Sequence, residues 1–502
     1  MAANDFLWRQ TTPGVWERNI DEAEEFYYTV AQLYQGSGRM FFAITGHASL
    51  RVAIPTGVSP AAAERRLDAA LRHAWLALRF DHPTIASQVV HQKGAARPTK
   101  IYRCCADSAG ATAWLNKTLV PVSTGQTGVE WANADPPAPV LPTLFVVHVP
   151  DDAAGLVRRD LVLRSPHDII DGMGTLLLLN NYIAHVSKFY SVTDSLGIPH
   201  LDGSELKNLS PPYREAASVP DTLSASQLQR AAEMAAQKAA AAGDEQSTLT
   251  IPFVHGPVLP GKHQRVALAL PAAQTAQIVQ LCKTLGATVT HVFHAAIALA
   301  MRDIEQTQTQ AGTVRYVGYL LRNDRPYCNA PYNTARHPAA LYHSASGQAL
   351  VVNMTLQGSN EKRAEFLDVV RGVQSFYEEV RNDAEHGALA SLFWKTATPS
   401  LPASSTVPPV PPPKTSPSVS LSSMGKMDTV ISPSQGAVQV YDPWVTGEEL
   451  GNGLGAFLGT YRGELCFSAA YNDAWHTAPE VMGFLERCRD MILANVEVPM
   501  QD

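Results

Sequence analysis

His167 and Asp171 stand four residues apart in Ser165-Pro166-His167-Asp168-Ile169-Ile170-Asp171-Gly172, where the chain concentrates residues able to do chemistry. Three readings fit the pair. A histidine and an aspartate at this spacing can share a metal ion on one helix face, but a metal site needs at least three protein ligands, and no further cluster stands nearby at ligand spacing. The pair can equally be a satisfied buried histidine followed by a carboxylate that favours the positive end of a helix. In the third reading the imidazole, with an ordinary pKa of about 6.5, serves as a general base toward a hydroxyl or an amine. Gly172, directly after the pair, lets chain or ligand approach closely.

The elements that must hold this stretch can be read around it. Leu144 to Val149 and Asp160 to Arg164 are β-branched or Leu-rich runs flanking Pro150-Asp151-Asp152-Ala153-Ala154-Gly155, which predicts a strand hairpin leading into His167. From Met173 to Tyr190, residues Leu176, Leu179, Ile183, Val186 and Tyr190 recur at steps of three or four, the stripe of a helix packed on a core. His167 is therefore expected where a buried strand turns into a helix. An amphipathic helix is predicted over 60–79, stopped at Asp81-His82-Pro83. In the second half we expect a strand at Arg265 to Leu270, a helix from Pro271 to Leu285 and a longer helix from Thr290 through Met301.

Similar layering in the two halves suggests two related α/β domains, 1–205 and 251–502, joined by a crossover at 206–250. The crossover contains a helix opened by a Ser224/Gln227 capping box and closed by Gly243. The proline-rich stretch 399–417 cannot supply ladder hydrogen bonds and is expected to be an exposed polyproline or disordered loop.

A chain of 502 residues exceeds what one hydrophobic core organises, and its 45% hydrophobic and 17% charged residues predict a large buried interior or apolar cleft. The net charge of -7 and the absence of a Lys/Arg run argue against a nucleic-acid partner. Six scattered cysteines (Cys104, Cys105, Cys282, Cys328, Cys466, Cys488) contain no Cys-x-x-Cys pair, so neither a zinc site nor a disulfide framework is indicated. With neither a signal sequence nor a run of about 18 apolar residues, the expectation is a cytoplasmic monomer without membrane contact. The sequons at Asn116, Asn208 and Asn353 then carry no glycosylation meaning.

Taken in order, strand, Ser-Pro-His-Asp-Ile-Ile-Asp-Gly-Met-Gly and apolar helix, the central region resembles the CoA-dependent acyltransferases with a His-x-x-x-Asp-Gly signature. That superfamily includes chloramphenicol acetyltransferase, the plant BAHD acyltransferases and the condensation domains of peptide synthetases. Within it the chain is most similar to fungal O-acetyltransferases of secondary metabolism, of the trichothecene 15-O-acetyltransferase kind. Supporting similarities are Val15-Trp16-Glu17-Arg18 with Asp21 and Glu24, Arg79-Phe80-Asp81-His82-Pro83, Cys282 through Thr290, and Phe467 through Asp473. Tyr441-Asp442-Pro443-Trp444-Val445-Thr446-Gly447 departs from the Asp-Phe-Gly-Trp-Gly of the plant enzymes, which favours the fungal and condensation-type branches.

The resemblance implies an α/β fold of two chloramphenicol-acetyltransferase-like domains with a solvent channel between them, donor and acceptor meeting at His167. It implies that His167 is the base, and that Asp171 and Gly172 are structural, the aspartate paired with a second-domain arginine. Arg322, in Leu320-Leu321-Arg322-Asn323-Asp324-Arg325-Pro326, is the best match for that arginine, with Arg325 the alternate. A bidentate guanidinium–carboxylate contact would fix the turn that presents the imidazole. Ser422 or Ser423, in Ser420-Leu421-Ser422-Ser423-Met424-Gly425, is the candidate for the oxyanion. The co-substrate implied is an acyl-CoA, acetyl-CoA first, with no bound cofactor and no metal; the acceptor is a hydrophobic alcohol. The alternatives are condensation-type or N-acyl transfer from an acyl carrier protein, donor-free cyclisation or rearrangement in a reused fold, and a scaffold that docks partners through 399–417.

Overall fold

The computed structural model describes residues 5–91, 97–105, 107–150, 155–192, 200–242, 248–306, 312–357, 361–401 and 407–496. His167 is delivered by a hairpin whose strands are Thr143–Val149 and Leu156–Ser165, paired antiparallel with Leu144 opposite Leu163. The second strand is longer than the Asp160–Arg164 run suggested, because Ile44–Ala53 pairs along its whole other edge, Ile44 opposite Ser165 and Ala53 opposite Leu156. Residues 151–154 of the expected turn lie outside the described residues.

Alternation along this strand sorts its side chains between two packing layers. Leu161 and Leu163 join one core with Trp75 and Leu78 of the helix Pro60–Asp81 and with Leu176 and Ile183 of the helix Gly172–Ser191. Val162 faces the other way, into a cluster with Phe145, Val147 and Trp444. Burial on both faces leaves the strand's charges needing partners. Arg164 accordingly donates to Glu448 at 2.6 Å and to the Thr45 hydroxyl at 3.0 Å.

The full sheet has six strands, in the order Ser434–Gln435, Val438–Gly447, Ile44–Ala53, Leu156–Ser165, Thr143–Val149 and Leu119–Val122. Two of these come from the second half of the sequence, so Val438–Gly447 crosses over to complete the first-half sheet, Trp444 opposite His47. Local pattern cannot reveal such a crossover, because Val438–Gly447 reads as a strand without naming its neighbour.

The second core is built on the sheet Val419–Lys426, Leu454–Tyr461, Glu464–Asn472 and His263–Leu270. Against it packs the helix Val289–Gln306, whose residues 291–302 are all buried. The preceding helix, Ala272–Leu285, ends at Gly286 in the left-handed conformation at φ 64°, a glycine C-cap. No single described helix is long and apolar enough to cross a membrane; Ala272–Leu285 and Val289–Gln306 reach that level only together, across a 96° bend.

The crossover helix is Ala225–Ala242, and its predicted cap forms: Ser224 Oγ accepts from the Gln227 amide while the Gln227 side chain accepts from the Ser224 amide. Gly243 lies outside the described residues, as do 402–406 of the proline-rich stretch. The described parts of that stretch, 399–401 and 407–417, have no regular structure, and the second is tied down. Lys414 and Asn452 exchange two hydrogen bonds of 2.9 Å, and the Pro417 carbonyl accepts from Ile251 at 3.0 Å.

Candidate active site

The strand Leu156–Ser165 ends one residue before Pro166, residues 167–169 form a turn, and Asp171 caps the helix Gly172–Ser191 by accepting from the Gly174 amide at 2.7 Å. The turn is anchored from below. Arg18 and Glu24 form a buried bidentate pair with both contacts at 2.7 Å, Lys100 joins Glu24, and the Lys100 ammonium donates to the Asp168 carbonyl at 2.5 Å. The N-terminal residues that carried part of the family likeness thus hold the carbonyl next to His167. Asp81 and His82 likewise reach His185 and Asn181, on the helix that follows the motif, at 2.8 and 3.0 Å.

Asp171 points away from His167. Its oxygens accept from Arg325 Nη1 at 2.8 and 2.7 Å and from the Tyr342 amide at 2.9 Å. Burial alone would raise this carboxyl, but Arg325 and His343 overcome it and hold the pKa well below the carboxylate range. A carboxylate so engaged is taken up by the protein rather than offered to a metal. The arginine is Arg325, not Arg322: residues 321–323 form a short strand paired with His343–Ala345, and from it Arg322 turns to Asp324 at 2.6 Å and over the Tyr327 ring. Arg325 begins the following 3-10 turn, where its other nitrogen donates to the Pro338 and Ala340 carbonyls at 3.2 Å.

The close-approach glycine is also two residues further on than expected. A Cβ on Gly172 would meet Met424 and Val445 at 3.5 Å or more, an ordinary contact. On Gly174 it would lie 2.2 Å from the Pro338 carbonyl oxygen and 2.7 Å from Arg325 Nη2. Gly174 lets the 338–342 segment reach Asp171 across the helix start.

His167 is half-buried on the wall of a cavity of about 300 Å3. Its pKa is pushed down to about 3 by burial first and by His343 second, so the ring is neutral at physiological pH. Tyr27, from the helix Glu22–Leu33, lies flat against it, ring centres 3.6 Å apart and planes 13° apart. Apolar groups, among them Phe26, Phe42, Trp394, Met424 and Phe457, make up much of the remaining wall.

The strand Val419–Lys426 sends Val419 and Leu421 into the second core, while Ser420, Ser422 and Ser423 all line the cavity. Ser422 makes no side-chain hydrogen bond that we find among the described residues, whereas the Ser423 hydroxyl is paired with Thr290 at 2.8 Å. Polar residues on this wall that carry no signal in the sequence include Tyr27, His343 and Glu449. Burial pushes the Glu449 carboxyl up to about 7, against the opposing hydrogen bond from the Gly451 amide.

Residues 47–318, more than half of the chain, match the family described as 15-O-acetyltransferase Tri3. The chain belongs to the Tri3 family. The matched span contains the whole His-x-x-x-Asp-Gly region, and Arg325, His343 and Ser422 lie beyond it. Curated relatives agree with the Tri3 assignment. The acetyltransferase pigO of Monascus ruber is 22% identical over 499 residues, covering 98% of each chain. The O-acetyltransferase pigM of the same organism is 25% identical over 474 residues, covering 93% of this chain and 83% of its own length. In fold, the chain matches the TRI3 trichothecene 15-O-acetyltransferase of Fusarium sporotrichioides with a TM-score of 0.80 at 17% identity, over 99% of both chains. The first condensation domain of the calcium-dependent antibiotic synthetase matches at 0.61 with 14% identity, over 97% of both. This Tri3-family chain is an acyltransferase with the two-domain, chloramphenicol-acetyltransferase-like α/β fold.

Proposed function

We propose that this protein transfers an acyl group, acetyl foremost, from CoA to a hydroxyl of a hydrophobic secondary metabolite, with His167 as general base. The observation that carries the reading is a neutral imidazole on an apolar cavity wall, beside a carboxylate fully engaged elsewhere. His167 takes the proton from the acceptor oxygen as that oxygen attacks the thioester carbon. The tetrahedral intermediate collapses with loss of thiolate, to which the imidazolium returns the proton. No acyl-enzyme is needed. The Ser422 hydroxyl is our choice of donor to the oxyanion, because both serines line the cavity but the Ser423 hydroxyl is paired with Thr290. We place donor and acceptor in a channel between the two domains, meeting at His167.

The acceptor class is argued from the wall: aromatic and aliphatic surface with few polar groups suits a polycyclic skeleton held by burial and oriented by one or two hydrogen bonds. The test is release of free thiol from acetyl-CoA in the presence of a panel of polycyclic alcohols. We expect acceptor-dependent release that falls by about 10² to 10⁴ in His167→Ala, the range for loss of a general base. Replacing acetyl-CoA by an acetylated carrier protein asks whether the thioester must be presented on a protein. Turnover of an acceptor with every thioester omitted would instead support donor-free chemistry.

A further inference from the structure

Asp171 and His167 share one turn but no contact between their side chains. The path from the carboxylate back to the base runs through another part of the chain. His343 Nδ1 faces Asp171 Oδ2 at 3.7 Å, and its Nε2 is 2.8 Å from the Tyr27 hydroxyl. Tyr27 in turn stacks on His167 at 3.6 Å, while the His343 ring centre lies 5.6 Å from that of His167. These side chains come from an N-terminal helix, the motif turn and the strand His343–Ala345.

We propose that Tyr27 and His343 are positioning residues for His167, and that Asp171 orients the base through them. This deepens the assignment of His167 as base and rests on it. His343 Nε2 and the Tyr27 hydroxyl are at hydrogen-bond distance, and a hydrogen on the His343 nitrogen that faces Asp171 would leave Nε2 to accept from that hydroxyl. Burial holds that hydroxyl well above its ordinary pKa, so it remains a donor. The phenol ring is then fixed at its far end, and its face restricts the plane in which the His167 imidazole can sit. A base confined to one plane keeps its lone pair aimed at the acceptor oxygen. Misplacement by about 1 Å costs on the order of 10² in rate.

The arrangement is also polar. Charged groups near His167 include Asp171, already paired with Arg325, and Asp168, whose backbone Lys100 holds. Arg322, Lys238 and Glu449 stand elsewhere on the cavity wall.

The experiment compares wild type, Tyr27→Phe, Tyr27→Leu and His343→Gln, each checked for folding by circular dichroism. Thiol release from acetyl-CoA with the alcohol panel is followed against pH, and the imidazoles of 15N-histidine-labelled full-length protein are titrated by NMR. We expect Tyr27→Phe, which keeps the stack, to lose about 10-fold in kcat and Tyr27→Leu about 10²-fold, with KM within twofold of wild type. His343→Gln removes the neighbour that disfavours a charged His167, so the His167 titration moves to higher pH. Wild-type kcat together with an unmoved His167 titration in Tyr27→Leu and His343→Gln would overturn the proposal, as would changes confined to KM. If wild type releases no more thiol than His167→Ala, the base assignment fails on its own. The NMR titration then still decides whether Tyr27 and His343 govern the ring.

Discussion

Arg325 grips both oxygens of Asp171 through one nitrogen, at 2.8 and 2.7 Å, and with its other nitrogen holds the carbonyls of Pro338 and Ala340. One guanidinium therefore joins the start of the motif helix to a segment about 170 residues further along the chain, and sets the turn that carries His167.

Removing it leaves a buried carboxylate without its counter-ion. Arg325→Ala should destabilise the protein by about 3–5 kcal/mol, the loss typical of breaking a buried pair from one side, and depress kcat along with it. Arg322→Ala, which breaks a contact with Asp324 and leaves Asp171 untouched, should keep kcat within a few-fold of wild type. Urea unfolding and thiol release on both variants check this, and equal loss of kcat would contradict it.

The glycines separate in the same way. Gly174→Ala forces a Cβ into the Pro338 carbonyl and should cost about 1–3 kcal/mol and most of the activity, whereas Gly172→Ala meets only ordinary contacts and should be tolerated. Thermal melts of the two variants give the comparison directly.

If Ser422 donates to the oxyanion, Ser422→Ala should lower kcat by about 10²-fold with KM little changed. Ser423→Ala breaks only the Thr290 hydrogen bond and should stay near wild type. Steady-state kinetics with saturating acetyl-CoA distinguishes them.

The pH profile carries its own signature. With the His167 pKa at about 3, the base stays neutral down to acid pH, so kcat/KM should show no inflection near the ordinary histidine value of about 6.5 that is assignable to it. An inflection near 7 is expected from Glu449 and should vanish in Glu449→Gln.

His167, His263 and His294, all held near 3 by burial, must stay neutral in the folded protein while the unfolded chain takes up protons below about 6.5. A folded pKa below the unfolded one means that stability is full above the unfolded value and is lost as pH falls toward the folded value. Their share is a decline of about 1.4 kcal/mol per pH unit for each group at pH values between the two. Asp21, Asp168 and Glu449, raised to about 7, about 6 and about 7, contribute the reverse trend, while His82, His337 and His386, lowered to about 4, add to the decline and keep its sign. Urea midpoints at pH 7 and pH 5 should therefore fall on acidification, and His294→Gln should reduce the slope.

How far the sequence alone reached can be judged from single residues. His167 at a strand-to-helix turn was legible because periodicity changes there from two to about 3.6, and the helix 172–191 begins where that change predicts. Arg325 was distinguishable from Arg322 only in three dimensions, since both sit in the one run Leu320 to Pro326 and the choice depends on Leu321–Asn323 being a strand and Arg325 starting a turn. Tyr27 and His343 were invisible for a different reason. Each is an unremarkable residue in a local pattern, and they acquire meaning only from partners 140 and 176 residues away along the chain. The lending of Val438–Gly447 to the first-half sheet belongs to the same class: pairing across several hundred residues leaves no mark on local composition.

Acceptor-dependent release of CoA thiol by wild type, His167→Ala and Asp171→Asn tests the role of His167 most directly. His167→Ala should lose about 10² to 10⁴ in kcat at unchanged thermal stability. Asp171→Asn, which weakens the Arg325 contact, should lose activity and stability together. Thiol release by His167→Ala at the wild-type rate, with the same acceptor and at the same pH, would contradict that role.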